Sequence, residues 1–226
     1  MEKLLGVAPD SLPNTIFCLL SPDGKDQLTR PARGPYVFRT PENMATQMKR
    51  LAANYQSSVG PSYVPPVPLV DRVDLAMNVA ASDNRPLAVF YHSNPEDLKA
   101  MLEAVRPIVA DVRLTGQFMF VATTKRVDLK PILQAEGESG VYLVEPDEYG
   151  VSGKLVRFVA HEEMAMKLAD EMSRSLVQFR PNQKNHQQHI RDGYVFGIEW
   201  ETVVPESDPM SVQAKQRFKA RFNGMK

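Results

Sequence analysis

The stretch "AVFYHSNPEDLKAM" (88–101) decides the fold that the sequence predicts. Its apolar run ends before His92, and a short polar segment separates it from an amphipathic run. Asn94 is a favourable N-cap, Pro95 suits a first helical position, and the two acidic residues that follow complement the helix dipole. The stretch therefore predicts a buried strand that ends at His92 and a helix that begins at Pro95.

Strands and helices alternate on both sides of this junction. The pattern predicts a helix from Val70, a strand around "QFMFVATT", a short helix around "VDLKPILQAEG", the strands "GVYLVEP" and "KLVRFV", and a helix from His161 to Val177. Alternation that ends in a hairpin is typical of an α/β domain with a mixed sheet and helices on both faces. We place this domain at residues 70–179.

Residues 1–56 predict a smaller unit with the order strand, turn, strand, helix. The run "TIFCLL" enters the turn "SPDGK", a second strand lies within 27–38, and Thr40 and Pro41 begin a helix. The same progression recurs in residues 140–177. We interpret residues 1–56 as half of a domain like the one that follows, which must bury its apolar side chains against another surface.

Two further segments complete the predicted organisation. Residues 57–69 contain Pro61, Pro65, Pro66 and Pro68, a density that favours an extended linker. Their "PPVP" run also suits an aromatic groove on a partner, although such runs are more common in connectors. Residues 180–226 form a C-terminal extension.

The composition is that of an ordinary globular protein. Apolar residues make up 43% of the 226 residues, and 27 basic residues balance 27 acidic ones, so no overall field favours nucleic acid or membrane. No apolar segment reaches the length of a membrane span, and we expect a soluble, cytoplasmic protein. The single cysteine, Cys18, excludes an internal disulfide scaffold.

The order and spacing from Val70 to Val177 resemble the thioredoxin-like superfamily, above all in "DLAMNVAASDNRPLAVFYHS". In that family an aromatic strand leads into a Cys-x-x-Cys sequence that opens the next helix. When Phe90 and Tyr91 are aligned with the family's aromatic residues, Pro95 and Leu98 occupy the cysteine positions. The family's cis-proline is also missing, since "EGESGVYLV" contains no proline. The resemblance implies a thioredoxin-like fold without its reactive site.

The missing cysteines bear directly on function, because dithiol exchange needs a thiolate at the helix start and a second thiol that resolves the mixed disulfide. The sequence therefore predicts a redox-inactive thioredoxin-like protein that acts in protein–protein interaction, as an assembly, adaptor or chaperone-like factor. The expected partner is another protein or a second copy of the chain. We expect no cofactor, no metal and no enzymatic activity.

A different hypothesis is an enzyme. It would use the thiol of Cys18, or His92 and Ser93 at the end of the central strand, where α/β proteins place functional groups. A buried cysteine and a capping role for the strand-end residues are the simpler interpretations. His186 and His189 are one helical turn apart, with Asp192 a turn further, but such a set has too few ligands to predict a metal site.

The extension offers two candidate interaction segments. Trp200 lies in "YVFGIEWETVV" (194–204), which is either an added strand, a partner-binding segment or a segment that packs back on the domain. The final basic stretch suits nucleic-acid phosphates, an acidic partner or an anionic membrane surface, although a solvated tail is the simpler interpretation. Its candidate contact residues are Lys215, Arg217, Phe218, Lys219, Arg221 and Phe222.

Overall fold

The computed structural model describes residues 5–6, 16–21, 24–56, 60, 62–181, 183–198 and 209–223, without the side chains at 211, 218, 219, 222 and 223. The chain divides into two compact units. The small unit contains residues 1–61 and 202–226, and the large unit contains residues 62–201. The division falls inside the Pro-rich segment 57–69, and the extension 180–226 is shared between the two units.

The described residues contain six α-helices and six strands. The helices are α1 (Pro41–Asn54), α2 (Val73–Ser82), α3 (Pro95–Val109), α4 (Met164–Gln178), α5 (His186–Val195) and α6 (Pro209–Asn223). The strands are β1 (Leu69–Val70), β2 (Leu87–Tyr91), β3 (Met119–Thr123), β4 (Ile132–Leu133), β5 (Gly140–Pro146) and β6 (Gly153–Ala160). The predicted α/β class is confirmed.

The large unit is built on one mixed sheet with the order β1-β3-β2-β5-β6-β4. Strands β1, β3 and β2 are parallel, β5 is antiparallel to both β2 and β6, and β4 pairs parallel with β6. All five residues of β2 are buried, because this strand is paired on both edges and covered on both faces. The predicted mixed sheet is therefore present.

Each face of the sheet has its own apolar core. Helix α2 covers one face, where Met77 packs with Val89 and Tyr142. Helices α3 and α4 cover the other face, where Met101 and Leu168 pack with side chains of the alternate strand residues. The alternation follows from the strand geometry, since successive side chains point to opposite faces.

Two local expectations from the sequence are corrected by the structure. The predicted helix from Val70 begins at Val73, because Leu69 and Val70 pair with β3 as strand β1. The predicted short helix around 127–137 is a single 3-10 turn, Arg126–Leu129, followed by β4. Pro131 has no amide hydrogen for a further helical bond, so the helical turn stops there.

The small unit begins with two extended segments that lie antiparallel. The Phe17 amide donates to the Ala32 carbonyl at 2.7 Å, the Ala32 amide donates back at 2.9 Å, and a second bridge joins Leu20 and Gln27. A 3-10 turn (Pro35–Phe38) follows, and α1 begins at Pro41 as predicted, with the Thr40 hydroxyl accepting from the Asn43 amide. Most of this pairing is carried by isolated bridges rather than a continuous ladder.

The turn between β5 and β6 touches helix α2 at Gly150. This residue has a φ of +66°, and a Cβ placed on it would lie 2.6 Å from the Cα of Asn78 and 2.8 Å from the Met77 carbonyl oxygen. Both contacts are backbone atoms that no side-chain rotation can move. Only glycine therefore permits this approach of turn and helix.

We predict that Gly150→Ala lowers the free energy of unfolding by about 3 kcal/mol, because left-handed strain adds to a backbone overlap. Gly116→Ala is the matched control, since Gly116 has a φ of +73° but open space around its Cβ position. The control should lose only about 1 kcal/mol, the cost of the left-handed backbone alone. Urea unfolding followed by circular dichroism compares the two, and equal losses would contradict the close approach.

Candidate functional site

The carboxyl end of β2 brings two histidines together. In the sheet register Tyr91 pairs with Gly140, and Gly140 pairs with Ala160, so the residues that follow β2 and β6 are neighbours. The rings of His92 and His161 consequently lie with centroids 5.2 Å apart in an edge-to-face arrangement. The large unit therefore presents an imidazole pair where its central strand ends.

The contacts of His92 are those of a junction residue. Its Nδ1 accepts a hydrogen bond from the Asn94 amide at 3.1 Å and lies 3.7 Å from Oδ2 of Asp97. Its own amide donates to the Thr123 carbonyl at 3.4 Å. Because Nδ1 accepts, the neutral ring carries its proton on Nε2. The ring thus helps to fix the loop that enters α3.

The neighbouring residue, Ser93, is exposed and makes no hydrogen bond within the described residues. A serine nucleophile needs a base within about 2.6–3.2 Å of its hydroxyl. His92 makes no such contact, since its Nδ1 is occupied by the Asn94 amide. The geometry therefore gives the Ser93 hydroxyl no base.

Pro95 and Leu98, which the resemblance aligns with cysteines, serve the start of α3. Pro95 is the first residue of the helix, and the Leu98 side chain is buried in the core. The Asn94 side chain accepts from the Glu96 amide at 2.9 Å. The junction is therefore a capped helix start, as the sequence predicts.

His161 is the residue of this edge that the sequence reasoning missed. Its Nδ1 is buried and has no hydrogen-bond partner in the described part of the chain, while its amide donates to the Ser139 carbonyl at 3.1 Å. No local pattern identifies it, because its approach to His92 depends on the register of three strands. Nowhere in the described ranges do three His, Cys, Asp or Glu side chains come close enough to hold a metal ion.

The first part of the extension packs against the large unit. The His189 ring stacks on Tyr149 at 4.4 Å between centroids, and its Nδ1 lies 3.2 Å from Oε1 of Glu148. Lys184 donates from Nζ to the Ala81 carbonyl near the end of α2, at 3.0 Å. His189 is one of the two histidines whose spacing suits metal ligands. In the structure it holds α5 against the β5–β6 turn.

Only residues 194–198 of the segment 194–204 are described, and they do not form a strand. Tyr194 and Val195 are the last residues of α5, and Gly197 follows with a φ of +69°, a common way to end a helix. Of the alternatives left open above, the added strand is therefore excluded for these first residues. Trp200 lies outside the described residues.

The basic stretch lies on helix α6 of the small unit. Lys215 is half-buried, and Arg217 and Arg221 are exposed. The side chains of Phe218, Lys219 and Phe222 lie outside the described set. The sequence's alternative of nucleic-acid binding at this stretch stays a prediction.

An apolar concave surface lies in the small unit, between α1 and the two extended segments. We call it the small-unit groove. It encloses about 530 Å³ and is lined by Leu19, Leu20, Leu28, Met48, Leu51, Ala52, Asn54, Tyr55 and Gln56. No residue of α1 is buried, and Leu28, Met48 and Tyr55 are 39%, 44% and 40% exposed.

One edge of the small unit is also unpaired. Phe17 and Leu19 direct their backbone groups toward residues 28–32, whereas Cys18 and Leu20 take part in no backbone hydrogen bond in the described part of the chain. We call residues 16–20 the open edge. All five are apolar, and each is only partly buried.

The large unit contains the same arrangement in a completed form. Strands β5 and β6 lead into α4, as the two extended segments lead into α1. Strand β2 pairs with the free side of β5, and α3 packs beside α4, so Leu168 of α4 is fully buried whereas Met48 of α1 is 44% exposed. No described backbone group pairs with the open edge in the way that β2 pairs with β5.

Comparison of the chain with protein-family models, curated proteins and solved structures finds no match. Among the described residues no helix combines the length and the apolar character needed to cross a membrane.

We predict that Asn94→Ala lowers the free energy of global unfolding by about 1 kcal/mol, the usual loss for an N-cap. Helix α3 buries Leu98 and Met101 in the main core, so fraying at its start weakens the whole unit. Asn185→Ala is the matched control, because Asn185 caps α5 by accepting from the Gln188 amide at 3.0 Å. Since α5 buries only Gly193, the control should raise amide exchange in α5 and leave the urea midpoint unchanged. Equal shifts of the two midpoints would contradict this assignment.

The Asp147 carboxylate organises the turn against which α5 packs. Burial acts to raise the pKa of Asp147, but hydrogen bonds from the Ser152 side chain and from the amides of Val151, Ser152 and Tyr149 outweigh it and hold the pKa below the ordinary 3.8. A carboxyl with a lowered folded pKa contributes stability above its unfolded pKa, and that stability is lost as the pH falls through the folded value.

We therefore predict that Asp147→Asn is less stable than the wild-type chain by about 1–2 kcal/mol at pH 7, because the new amide group faces the Ser152 amide as a second donor. The difference should shrink as the pH falls below 3.8 and through the lowered folded pKa, where the native carboxyl loses its charge. Asp83→Asn is the control, since the Asp83 side chain accepts no hydrogen bond in the described ranges. Urea midpoints at pH 7 and pH 3 test this, and a pH-independent difference would contradict it.

Proposed function

We propose that this protein works by binding another polypeptide, with the small unit as the binding surface and a redox-inactive, thioredoxin-like large unit as its scaffold. The strand order β1-β3-β2-β5-β6, in which β5 alone runs antiparallel to the other four strands, supports the thioredoxin-like assignment. So does the placement of α2 on one face and of α3 and α4 on the other.

The chemistry of the junction supports a role without dithiol exchange. Pro95 and Leu98 have no ionisable group, and Cys18 lies in the small unit on a partly buried extended segment. A lone thiol has no second thiol in the chain that would resolve a mixed disulfide. The two histidines and Ser93 form no nucleophile–base pair.

The observation that carries the proposal is the apolar groove beside an unpaired apolar edge. Monomeric proteins rarely leave such surfaces uncovered, and an unpaired strand edge is a template for a strand from another chain. Polypeptides bind such surfaces by adding a strand to the edge or by laying an apolar helix in the groove. The large unit's own β2 and α3 are the type of element that would complete the small unit.

The binding free energies require the partner to contact both the small-unit groove and the open edge. Covering the exposed parts of Leu28, Met48 and Tyr55 contributes roughly 2–3 kcal/mol, since full burial of such a side chain is worth about 1.5–3 kcal/mol. A dissociation constant of 1 μM corresponds to about 8 kcal/mol. The groove alone is therefore too weak, and a stable complex also needs pairing at the open edge and the rest of α1.

A photo-reactive amino acid in place of Met48 tests the proposal in the full-length protein in extracts of its native cells. We expect a covalent adduct with a polypeptide of defined mass, identified by mass spectrometry. Adding Ala52→Arg should reduce this adduct at least tenfold, because Ala52 is exposed and lines the groove, where a long cation blocks an apolar occupant.

Ala53→Arg provides the matched control. Ala53 is the next residue of α1, is also exposed, and does not line the groove. The adduct should persist in this variant. The absence of any polypeptide adduct, or equal adducts in the two arginine variants, would argue against the proposed function.

A further inference from the structure

The open edge has the hydrogen-bonding pattern of a strand that awaits an antiparallel neighbour. The Phe17 amide donates to Ala32 at 2.7 Å, and the Leu19 carbonyl accepts from Leu28 at 2.8 Å. Backbone groups alternate in direction along an extended segment, so those of Ile16, Cys18 and Leu20 point to the other side. Cys18 and Leu20 have no backbone partner there in the described residues.

A second copy of the same segment fits this pattern in one register. If two open edges pair antiparallel about a twofold axis at Cys18, Ile16 lies opposite Leu20 of the other copy. Every residue of 16–20 then has an opposite residue, and the three positions with outward backbone groups form the hydrogen-bonded pairs. No residue of the segment carries a charge that would oppose its own copy.

The same axis also brings the two α1 helices together. A twofold axis that relates antiparallel edge strands is perpendicular to the sheet, so both helices lie on the same face of the joined sheet. Along α1 the apolar residues Met44, Met48, Leu51 and Tyr55 have spacings of four, three and four, the pattern of a helix–helix seam. This is the relation that α3 and α4 have in the large unit.

The residues that flank this seam suit a second copy. Ala45 and Ala52 lie on one side of it and Gln47 and Asn54 on the other, so both flanks are uncharged. Small side chains allow a close approach of the helices, and the charges of Lys49 and Arg50 lie away from the seam. The α1 helix of a second copy therefore meets no like charge and no bulky side chain beside the seam.

We infer that the polypeptide that completes the small unit is a second copy of the chain, which pairs through residues 16–20 and packs α1 against α1. This inference rests on the proposed function and names the partner of the same surface. A twofold dimer closes both open edges at once and leaves none for further addition. A strand from a different protein would close only one open edge.

Sedimentation of the full chain over a range of concentrations is the first test. We expect a species of twice the chain mass of 25.4 kDa. Leu20→Lys should weaken this dimer at least 100-fold, because it places two lysines in the pairing segments. Leu133→Lys is the matched control, since Leu133 is an exposed leucine on edge strand β4 of the large unit, and it should leave the dimer intact.

Cys18 supplies a second measurement that requires no change to the small unit. Opposite residues in a hydrogen-bonded antiparallel pair have Cα atoms about 5.5 Å apart, but their Cβ atoms are further apart than a relaxed disulfide allows, so a short thiol-reactive bis-maleimide is the suitable cross-linker. With this reagent the wild-type chain should give a covalent dimer on a denaturing gel. A Cys18→Ser, Val112→Cys variant, whose thiol would lie at an 89% exposed position of the large unit, should not.

The outcomes separate this inference from the proposed function. A single-chain mass, or a dimer that survives Leu20→Lys and gives no Cys18 cross-link, overturns the second-copy inference. If the photo-reactive group at position 48 then still joins a different polypeptide in an Ala52-dependent way, the proposed function stands with another partner. If that adduct is also missing, both fail.

Discussion

The pairing of β2 between β3 and β5 is the constraint on which the large unit depends. This strand is parallel to one neighbour and antiparallel to the other, and all five of its residues are buried. Its alternate side chains supply both cores, so α2 packs on one face while α3 and α4 pack on the other. Its end sets the start of α3, and its register with β5 and β6 places His92 beside His161.

The small unit shows what the same local order of elements becomes without a central strand. Two antiparallel segments and an amphipathic helix form in both units, because turn chemistry, capping and apolar spacing are local properties. Burial is not local. Leu168 is covered because β2 and α3 supply the rest of its core, while Met48 is 44% exposed among the described residues. Burial thus depends on the neighbouring elements rather than on the helix itself.

Local signals in the sequence were enough to predict the starts of α1 and α3 and the α/β class. Thr40 with Pro41, and Asn94 with Pro95, are strong caps whose effect depends on a few neighbouring residues. Features that depend on long-range pairing were not predictable. Strand β1 is only two residues long and exists because it pairs with β3, and nothing in its own pattern separates it from the proline-rich linker.

The candidate site also contains some residues that local signals predict and others that depend on long-range pairing. The junction residues at 92–98 could be found from sequence because they adjoin a capped helix, whereas His161 could not, since three strand registers bring it to His92. For 194–204 the sequence left a strand, a partner-binding segment and packing on the domain open, because aromatic and β-branched residues also fit a helix that packs on a neighbouring turn. No residue of α1 is buried, and its apolar residues line the small-unit groove, but the internal repetition stays a prediction.

The edges of the two units differ in a way that bears on where the protein meets its partner. The large-unit sheet ends in β1 and β4, each two residues long, and short edge strands limit the addition of further strands. The open edge of the small unit has five apolar residues in succession, and none of them is the lysine or proline that often protects an edge. The chain thus contains one sheet whose short edge strands limit further pairing. It also contains a pair of segments whose described edge has no such protection. Because an uncovered apolar edge promotes aggregation, a folded protein that retains one needs a specific cover for it.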